Sequence, residues 1–346
     1  MDYAFIWFIL IGVLWTGYLV LEGFDFGVGA LLPVLGRRPH VGTGADDADK
    51  RRRVMLTTIG PHWDGNEVWL ITAAGATFAA FPHWYASMFS AFYLPLLALL
   101  VALIVRNMGL EYRHKRDDDS WRRQWDAAVI GGSVAAPFLV GLSLTNLVRG
   151  VPLDADFEFV GSLGTLLNLP SLLGGAAFVA LSVTHGACFL ALKTDGSLRA
   201  EAARAASRSG LVAVVLVIAL LGWLLGVDGS GPVLSLTALA GAALVGGLAA
   251  SRASRERVAF AGTTLAWVGI SAAYFVALHP AVMPTTLPGG ASLTIENAAS
   301  TPMTLQIMSV AALLFTPIVL LYTAWTYWVF RRRLSTELLG APALVK

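Results

Sequence analysis

Long apolar stretches recur along the chain, and short polar or charged segments separate them. A helix that crosses a bilayer needs about 20 predominantly apolar residues. Nine stretches meet this requirement and predict nine transmembrane helices. They cover about residues 5–33, 54–80, 84–106, 125–148, 163–193, 209–227, 232–250, 258–278 and 304–330. The sequence VDGSGP divides the sixth stretch from the seventh, and its turn-forming residues favour two helices with a tight connection.

Basic residues fall almost entirely on one side of the predicted helices. Cytoplasmic loops of membrane proteins accumulate Lys and Arg, and all of the 24 basic residues except Arg149 fall on the same predicted side. This distribution predicts one integral membrane domain, 1–346, with the N-terminus outside and the C-terminus in the cytoplasm. The predicted cytoplasmic loops are about 37–53, 107–124, 194–208 and 251–257. The predicted outer loops are about 149–162 and 279–303, and the second of these is either an ordered cap or a flexible linker.

The composition agrees with a membrane protein. Charged residues make up 13% of the chain and hydrophobic residues 56%, whereas soluble domains carry about 25% charged residues. The single cysteine, Cys188, excludes an internal disulfide and a cysteine-rich metal site. We therefore expect an all-α polytopic membrane protein. The expected arrangement, which no repeat in the sequence demonstrates, is two four-helix bundles plus one peripheral helix.

Four carboxyl residues interrupt the first two predicted helices. Glu22 and Asp25 lie in LVLEGFDFGVGALLP, and Asp64 and Glu67 lie in IGPHWDGNEVWLIT. An ionisable residue in the bilayer is costly and usually functional. The spacing of i, i+3 puts the two members of each pair on one helix face. At ~1.5 Å per residue, the four lie at ~12 to ~21 Å from the cytoplasmic helix ends and form a rising series.

This series is suited to proton conduction, because a desolvated carboxyl group can hold and release a proton near neutral pH. Gly23, Gly27 and Gly29 predict that a neighbouring helix approaches the first helix closely. Pro61 removes a backbone hydrogen bond from the second helix and makes room for water.

A structural alternative is that the carboxylates pair with a Lys or Arg, or cap broken helix turns. We expect no basic residue at a matching depth, which argues against an internal ion pair. The preferred prediction is a proton pathway with three supporting residues. The pathway residues are Asp64, Glu22, Asp25 and Glu67, and the supports are His62, Trp63 and Asn66.

Two histidines, His62 and His185, lie well inside predicted helices, and they lie on different helices. A pair of haem ligands is geometrically conceivable, but a lone histidine bonded to a backbone or carboxyl group is the preferred interpretation. The sequence has no nucleotide-binding loop and no HExxH motif, so a catalytic site of the soluble type is not expected.

Several sequence blocks resemble subunit II of cytochrome bd-type quinol oxidases. The blocks are EGFDFGVG, GPHWDGNEVWLITAAGATFAAFP, VMPTTLPGGASLTIENAAS and LLYTAWTYW. The likeness runs from the first predicted helix to the last and is weakest between about 190 and 260. PHWDGNEVW is long and unusual, so it is the most specific of these matches. The charged loops and an amino-acid composition of the kind that GC-rich genomes encode point to an actinobacterial member.

The resemblance implies a subunit that carries no haem or metal and packs against a haem-bearing partner, subunit I, as a pseudo-symmetric heterodimer. That partner would hold haem b and haem d, oxidise quinol and reduce oxygen to water with protons from the cytoplasm, which generates a proton-motive force. We therefore expect a multi-pass protein of the bacterial inner (plasma) membrane. The lipid bilayer, quinol and a small accessory transmembrane subunit are further expected partners, and nucleic acid is not.

The resemblance also assigns roles to individual residues. Asp64, Glu22 and Asp25 match family positions tied to proton delivery, although the family often has Asp where this chain has Glu22. Some members hold a structural quinone in this subunit, and Trp63 is the candidate lining residue here.

Two other functions remain open at the level of sequence. A proton-coupled secondary transporter would show broken helices at matching places in two repeated halves. The chain has one clear signal of this kind, at Pro61, and no counterpart near 170. In the other alternative, the chain is a stabiliser whose carboxylates only fix helix contacts.

Overall fold

The computed structural model describes residues 2–37 and 45–335. Within these ranges the chain folds into thirteen helices and one two-stranded sheet. The longer helices are α1 (Tyr3–Ala30), α3 (Ala45–Ile59), α4 (Trp63–Ala80), α5 (Pro82–Ala91), α6 (Tyr93–Tyr112), α7 (Asp119–Arg149), α9 (Leu169–Lys193), α10 (Gly196–Val227), α11 (Gly231–Arg252), α12 (Glu256–Leu278) and α13 (Pro302–Val329). The short elements are α2 (Leu32–Leu35), α8 (Leu163–Leu166), β1 (Ala281–Met283) and β2 (Leu293–Thr294).

Eight helical segments of the described chain are long and apolar enough to cross a membrane. They are α1 with α2, α6, α7, α9, α10, α11, α12 and α13. Their exposed surfaces are rich in large aliphatic and aromatic side chains. Contact of such side chains with lipid is favourable, whereas their exposure to water is unfavourable. The chain is therefore an all-α polytopic membrane protein, as predicted.

The second predicted span, 54–80, is not one continuous helix. Helix α3 ends at Ile59 and α4 begins at Trp63, so the break coincides with Pro61. Helix α4 has 18 residues and is not among the eight segments above, because its first turns carry polar side chains. The break at Pro61 is confirmed, and the count of nine spanning helices stays a prediction.

The predicted cytoplasmic loops are shorter in the structure. Residues 196–208 form the first part of α10, and residues 107–112 complete α6. Part of the loop 37–53 is helical, in α3, while its Arg38 and the terminal Lys346 lie outside the described residues. The turn at VDGSGP is confirmed, since α10 ends at Val227 and α11 begins at Gly231.

The helices pack in two groups. Helix α1 packs against α4 and α7, and α6 packs against α7. Helices α9 to α12 form a second set, in which α9 packs against α10 and α11 against α12. Contacts of α9 with α1 and α7 join the two sets. Helix α13 contacts α1 and α4 but leaves most of its surface exposed.

Glycines allow the closest of these helix contacts. A Cβ atom added to Gly27 of α1 would lie 1.9 Å from the Ser182 carbonyl oxygen and 2.8 Å from Gly186 Cα of α9. A Cβ atom added to Gly29 would lie 2.0 Å from Ser133 Oγ of α7. The prediction that the glycines of the first helix admit close neighbours is confirmed. This contact fixes the face of α1 that carries Glu22 and Asp25.

The predicted outer loops 149–162 and 279–303 bind each other. The Val151 amide donates to the Pro284 carbonyl oxygen at 3.0 Å, and the Thr286 amide donates to the Val151 carbonyl oxygen at 3.0 Å. The β1–β2 pair lies within the second loop. The Ser300 amide donates to the Ala80 carbonyl oxygen at 2.8 Å and so ties this loop to the end of α4. These bonds make segment 279–303 an ordered structure and not a flexible linker.

Candidate functional site

Glu22 and Asp25 lie on the buried face of α1, and neither side chain is exposed. Their spacing of i, i+3 places them on the same face of the helix, as predicted. Glu67 approaches this face from α4, which packs against α1. Three of the four predicted carboxyl residues are therefore brought into one cluster.

Arg106 of α6 lies at the centre of the carboxyl cluster. Its Nη1 atom is 2.7 Å from Glu22 Oε1 and 3.6 Å from Glu67 Oε1, and the arginine side chain is completely buried. The expectation that no basic residue lies at the depth of the carboxylates was therefore wrong. An internal ion pair links three helices.

Further contacts fix the arginine and its partners. Arg106 Nε donates to Ser133 Oγ of α7 at 3.2 Å, and its guanidinium carbon lies 4.9 Å from the centre of the Phe26 ring. The neighbouring Asn107 donates from Nδ2 to Glu67 Oε2 at 2.6 Å. The cluster is thus held by side chains from α1, α4, α6 and α7.

A sequence signal for Arg106 exists, although it is weak. Arg106 and Asn107 interrupt an apolar run that continues to Leu110. The predicted helix 84–106 ends at its first basic residue and so places Arg106 at the cytoplasmic end of the span. A window extended to Leu110 places the arginine inside the span, at a depth where it needs a carboxylate partner.

Asp64 does not join the cluster. It lies in the first turn of α4 on the exposed surface, and it makes no hydrogen bond or ion pair with the described residues. The expected rising series of four desolvated carboxyl groups therefore does not include Asp64 in this structure, and its role in the proton pathway stays a prediction. The depth estimate assumed one continuous second helix, but the break between α3 and α4 resets the rotation of the chain before Asp64.

Asn66 forms hydrogen bonds to two side chains around the cluster. Its Nδ2 atom donates to Asp25 Oδ2 at 2.7 Å, and its Oδ1 atom accepts a bond from the Tyr327 hydroxyl of α13 at 2.9 Å. His62 stacks on the Tyr327 ring, with the ring centres 4.2 Å apart and the planes 5° from parallel. His62 is buried and Trp63 is half-buried at the start of α4.

His185 is held by hydrogen bonds to the protein. Its Nδ1 atom lies 2.7 Å from Thr263 Oγ1, and its Nε2 atom lies 3.1 Å from the Val20 carbonyl oxygen. The interpretation of a histidine bonded to a backbone group is confirmed for His185. Across the described ranges, no group of three or more His, Cys, Asp or Glu side chains is placed to hold a metal ion.

A second ionic cluster lies at the helix ends near the charged loops. Asp126 of α7 accepts bonds from Arg113 Nε at 2.5 Å and Arg52 Nη1 at 2.9 Å, and Arg113 also binds Asp49 at 2.7 Å. Burial alone would lower the pKa of Arg113, but the hydrogen bonds and charges of Asp126 and Asp49 outweigh it and raise the pKa. This arginine stays charged and locks α3, α6 and α7 together.

The charge balance of the buried cluster determines its chemistry. Glu22 and Glu67 contact one guanidinium, which can compensate one carboxylate charge, and Asp25 lies one helical turn from Glu22. A second or third carboxylate in this site would be a buried charge without a full partner, and such a charge is very costly. Glu22 Oε2 and Asp25 Oδ1 also have no hydrogen-bond partner among the described residues. Protons bound to the carboxyl groups relieve this cost, so the site is suited to holding exchangeable protons.

An apolar groove of about 580 Å³ lies between α4, α5, α6 and α7. Aromatic and aliphatic side chains line it, among them Trp15, Phe78 and Phe89. Trp63, the residue predicted to line a quinone site, is not part of this groove.

Comparisons with known proteins agree on one family. The family described as cytochrome bd terminal oxidase subunit II matches residues 3–330. The chain is 38% identical over 335 residues to cytochrome bd ubiquinol oxidase subunit 2 of Bacillus subtilis (strain 168), covering 95% of this chain and 96% of that protein. It is 36% identical over 372 residues to cytochrome bd-I ubiquinol oxidase subunit 2 of Escherichia coli (strain K12), covering 96% of this chain and 95% of that protein.

A solved structure has a similar fold. The structure of bd oxidase from Geobacillus thermodenitrificans matches with a TM-score of 0.72 and 18% identity, covering 95% of this chain and 99% of the matched chain. At this identity the match supports the fold alone. The family match and the two relatives span nearly the whole chain, and we conclude that it belongs to the family of cytochrome bd terminal oxidase subunit II.

Proposed function

We propose that this chain is the non-haem subunit of a quinol:oxygen oxidoreductase, where it scaffolds the haem-bearing subunit and supplies a proton path from the cytoplasmic side. Membership of the family makes it a multi-pass protein of the bacterial inner membrane and a subunit of a quinol oxidase complex. The observation that carries the proton path is the contact of buried Glu22 and half-buried Glu67 with Arg106, beside the buried Asp25. Family membership favours this function over a secondary transporter.

In the proposed path, Arg106 stabilises whichever neighbouring carboxyl group is ionised. Its Nη1 atom is close to both Glu22 and Glu67. A proton that moves from one carboxyl group to the other shifts the negative charge between two positions that share the same positive partner. The guanidinium itself does not take part in the transfer, because an arginine side chain keeps its proton in proteins. The site can therefore pass protons without creating an uncompensated buried charge.

The helix arrangement that we propose has nine spans, with α3 and α4 together forming the second. The first bundle would contain α1, α4, α6 and α7, the second α9 to α12, and α13 would be the peripheral helix. The N-terminus would lie outside and the C-terminus in the cytoplasm. The contacts of the helices and the distribution of Lys and Arg support this arrangement.

We propose that haem b and haem d belong to the partner subunit. Both ring nitrogens of His185 are engaged by protein groups, which supports the proposal that His185 is not a haem ligand. An absorption spectrum of the chain expressed alone should lack haem bands, and co-expression with the haem-bearing subunit should yield a complex that has them. Haem bands in the isolated chain would contradict this assignment. A structural quinone and a small accessory subunit remain proposals from the family resemblance.

The proton path is tested by Glu22→Gln and Asp25→Asn in the complete oxidase. Each change removes a proton-binding group while nearly keeping the size of the side chain. Positioned groups that transfer protons contribute about 10²-fold or more to reaction rates. We therefore expect the rate of oxygen consumption to fall by roughly tenfold or more. The haem spectrum should stay near that of the wild type, because the changes lie in the chain that we propose carries no haem.

Glu158→Gln is the matched control, because Glu158 is exposed in loop 149–162. It should leave oxygen consumption unchanged. If Glu22→Gln and Asp25→Asn both behave like this control, the proton path is wrong and the chain is a scaffold.

Asp64→Asn distinguishes two versions of the path. If the exposed Asp64 feeds protons to the buried cluster, its loss should reduce oxygen consumption as strongly as Glu22→Gln does. We expect this reduction, because Asp64 lies one helical turn before Glu67. Wild-type turnover in Asp64→Asn would remove Asp64 from the path and leave Glu22, Asp25 and Glu67.

A further inference from the structure

Helix α13 is attached to the rest of the chain near its two ends. At its start, Trp7 Nε1 of α1 donates to the Leu305 carbonyl oxygen at 3.2 Å and to Ser309 Oγ at 3.0 Å. Near its end, the Tyr327 hydroxyl bonds to Asn66 and the Lys193 ammonium donates to the Phe330 carbonyl oxygen. The middle of the helix is largely exposed. The Tyr327 contact therefore joins α13, a helix with few other contacts to the protein, to the carboxyl cluster.

The hydrogen bonds from Tyr327 run in one direction. The hydroxyl donates to Asn66 Oδ1, and the other end of the same amide donates from Nδ2 to Asp25 Oδ2. The Leu21 carbonyl oxygen lies 3.4 Å from Nδ2, and because it can only accept, it favours this orientation of the amide. Each bond in such a chain polarises the next, which strengthens the donation to the carboxylate.

We propose that Tyr327 is a positioning residue for the carboxyl cluster: it holds Asn66 as a donor to Asp25 and so sets the pH range in which Asp25 gains and loses its proton. This inference deepens the proposed function and rests on it. Tyr327 itself does not carry the proton. Its ring is fixed by the stack with His62, which keeps the hydroxyl on the Asn66 amide.

The groups that face Asp25 come from four helices. Glu22 lies one helical turn before it on α1, and Glu67 of α4 and Arg106 of α6 are the other charged groups of the cluster. Asn66 adds a neutral donor, and the Tyr327 hydroxyl of α13 supports that donor. The two carboxyl groups and the guanidinium would remain in place if Tyr327 lost its hydroxyl. The tyrosine can therefore be changed without removing a charge from the cluster.

Tyr327→Phe in the complete oxidase tests the inference. The change deletes the hydroxyl and keeps the ring on His62, so the cluster should remain folded. Weaker donation to Asp25 disfavours the carboxylate form, so deprotonation requires a higher pH. We expect the infrared carboxyl band that Asp25→Asn abolishes to titrate about 0.5–1 pH unit higher in Tyr327→Phe than in the wild type.

Two further variants sharpen the test. Tyr322→Phe makes the same chemical change at an exposed position of α13 and should leave the titration midpoint unchanged. Asn66→Ala should move the midpoint in the same direction as Tyr327→Phe. Adding Tyr327→Phe to Asn66→Ala should then shift it no further, because the two residues act through one chain of bonds.

A wild-type midpoint in Tyr327→Phe would overturn the inference, as would the absence of any carboxyl band that depends on Asp25. An additive shift in the double variant would also overturn it, since Tyr327 would then act independently of Asn66. Failure of the proposed function has a different signature. In that case the infrared shift is present, but Asp25→Asn leaves oxygen consumption unchanged.

Discussion

Replacing Arg106 with glutamine is expected to destabilise the assembled protein by about 3–5 kcal/mol. The change leaves Glu22 and Glu67 in a buried site without their cationic partner. It also removes the bond to Ser133 and the contact with Phe26. Thermal unfolding of the purified oxidase and the yield of assembled complex should both report this loss.

Two variants establish the cause. Adding Glu22→Gln to Arg106→Gln should recover part of the stability, because it removes the carboxylate that the first change leaves unpaired. Arg123→Gln removes the same charge from an exposed position of α7 and should have little effect. If Arg106→Gln is as stable as Arg123→Gln, the ion pair does not hold the cluster together.

Gly186→Ala is expected to disrupt the packing of α1 on α9. The added Cβ atom would lie 2.4 Å from the Gly27 carbonyl carbon and 2.5 Å from the Val28 amide nitrogen. These are backbone atoms, so the clash cannot be relieved by a side-chain rotation and the two helices must separate. We expect a loss at or above the upper end of the ~1–3 kcal/mol usual for overpacking, measured by thermal unfolding.

Gly222→Ala is the control for this substitution. Gly222 lies in α10, and an added Cβ atom would meet no other group within 4 Å. Its unfolding temperature should match that of the wild type. Equal stability of the Gly186 and Gly222 variants would show that the α1–α9 contact tolerates an extra methyl group, contrary to the expectation.

The two predictions concern the same site. Separation of α1 from α9 would move the helix that carries Glu22 and Asp25, while loss of Arg106 would leave that helix in place with its charges uncompensated. The first change should therefore disturb both stability and proton transfer. The double variant Arg106→Gln with Glu22→Gln, by contrast, should regain part of the stability but not the oxygen consumption, because its proton path lacks a carboxyl group.

Features that depend on nearby residues could be predicted from the sequence. The long apolar stretches predicted the helices, Pro61 marked the break between α3 and α4, and VDGSGP separated α10 from α11. The spacing of Glu22 and Asp25 placed both on one face of α1. The specific block PHWDGNEVW pointed to the family. In each case the decisive property is helix length, backbone hydrogen bonding or turn geometry. Each of these depends on residues that are close in the sequence.

The partners of the carboxyl groups were decided by the tertiary structure. A count of residues along a helix estimates depth but does not tell which neighbouring helix a side chain meets. Arg106 reaches Glu22 because α6 packs against α7, which in turn packs against α1, and Tyr327 reaches Asn66 because the last helix returns to α4. Asp64 is turned outward because the break at Pro61 makes α4 a separate helix, whose rotation does not continue that of α3. The sequence by itself thus determined that buried acids exist in this protein, whereas the packing and rotation of distant helices determined what each acid contacts.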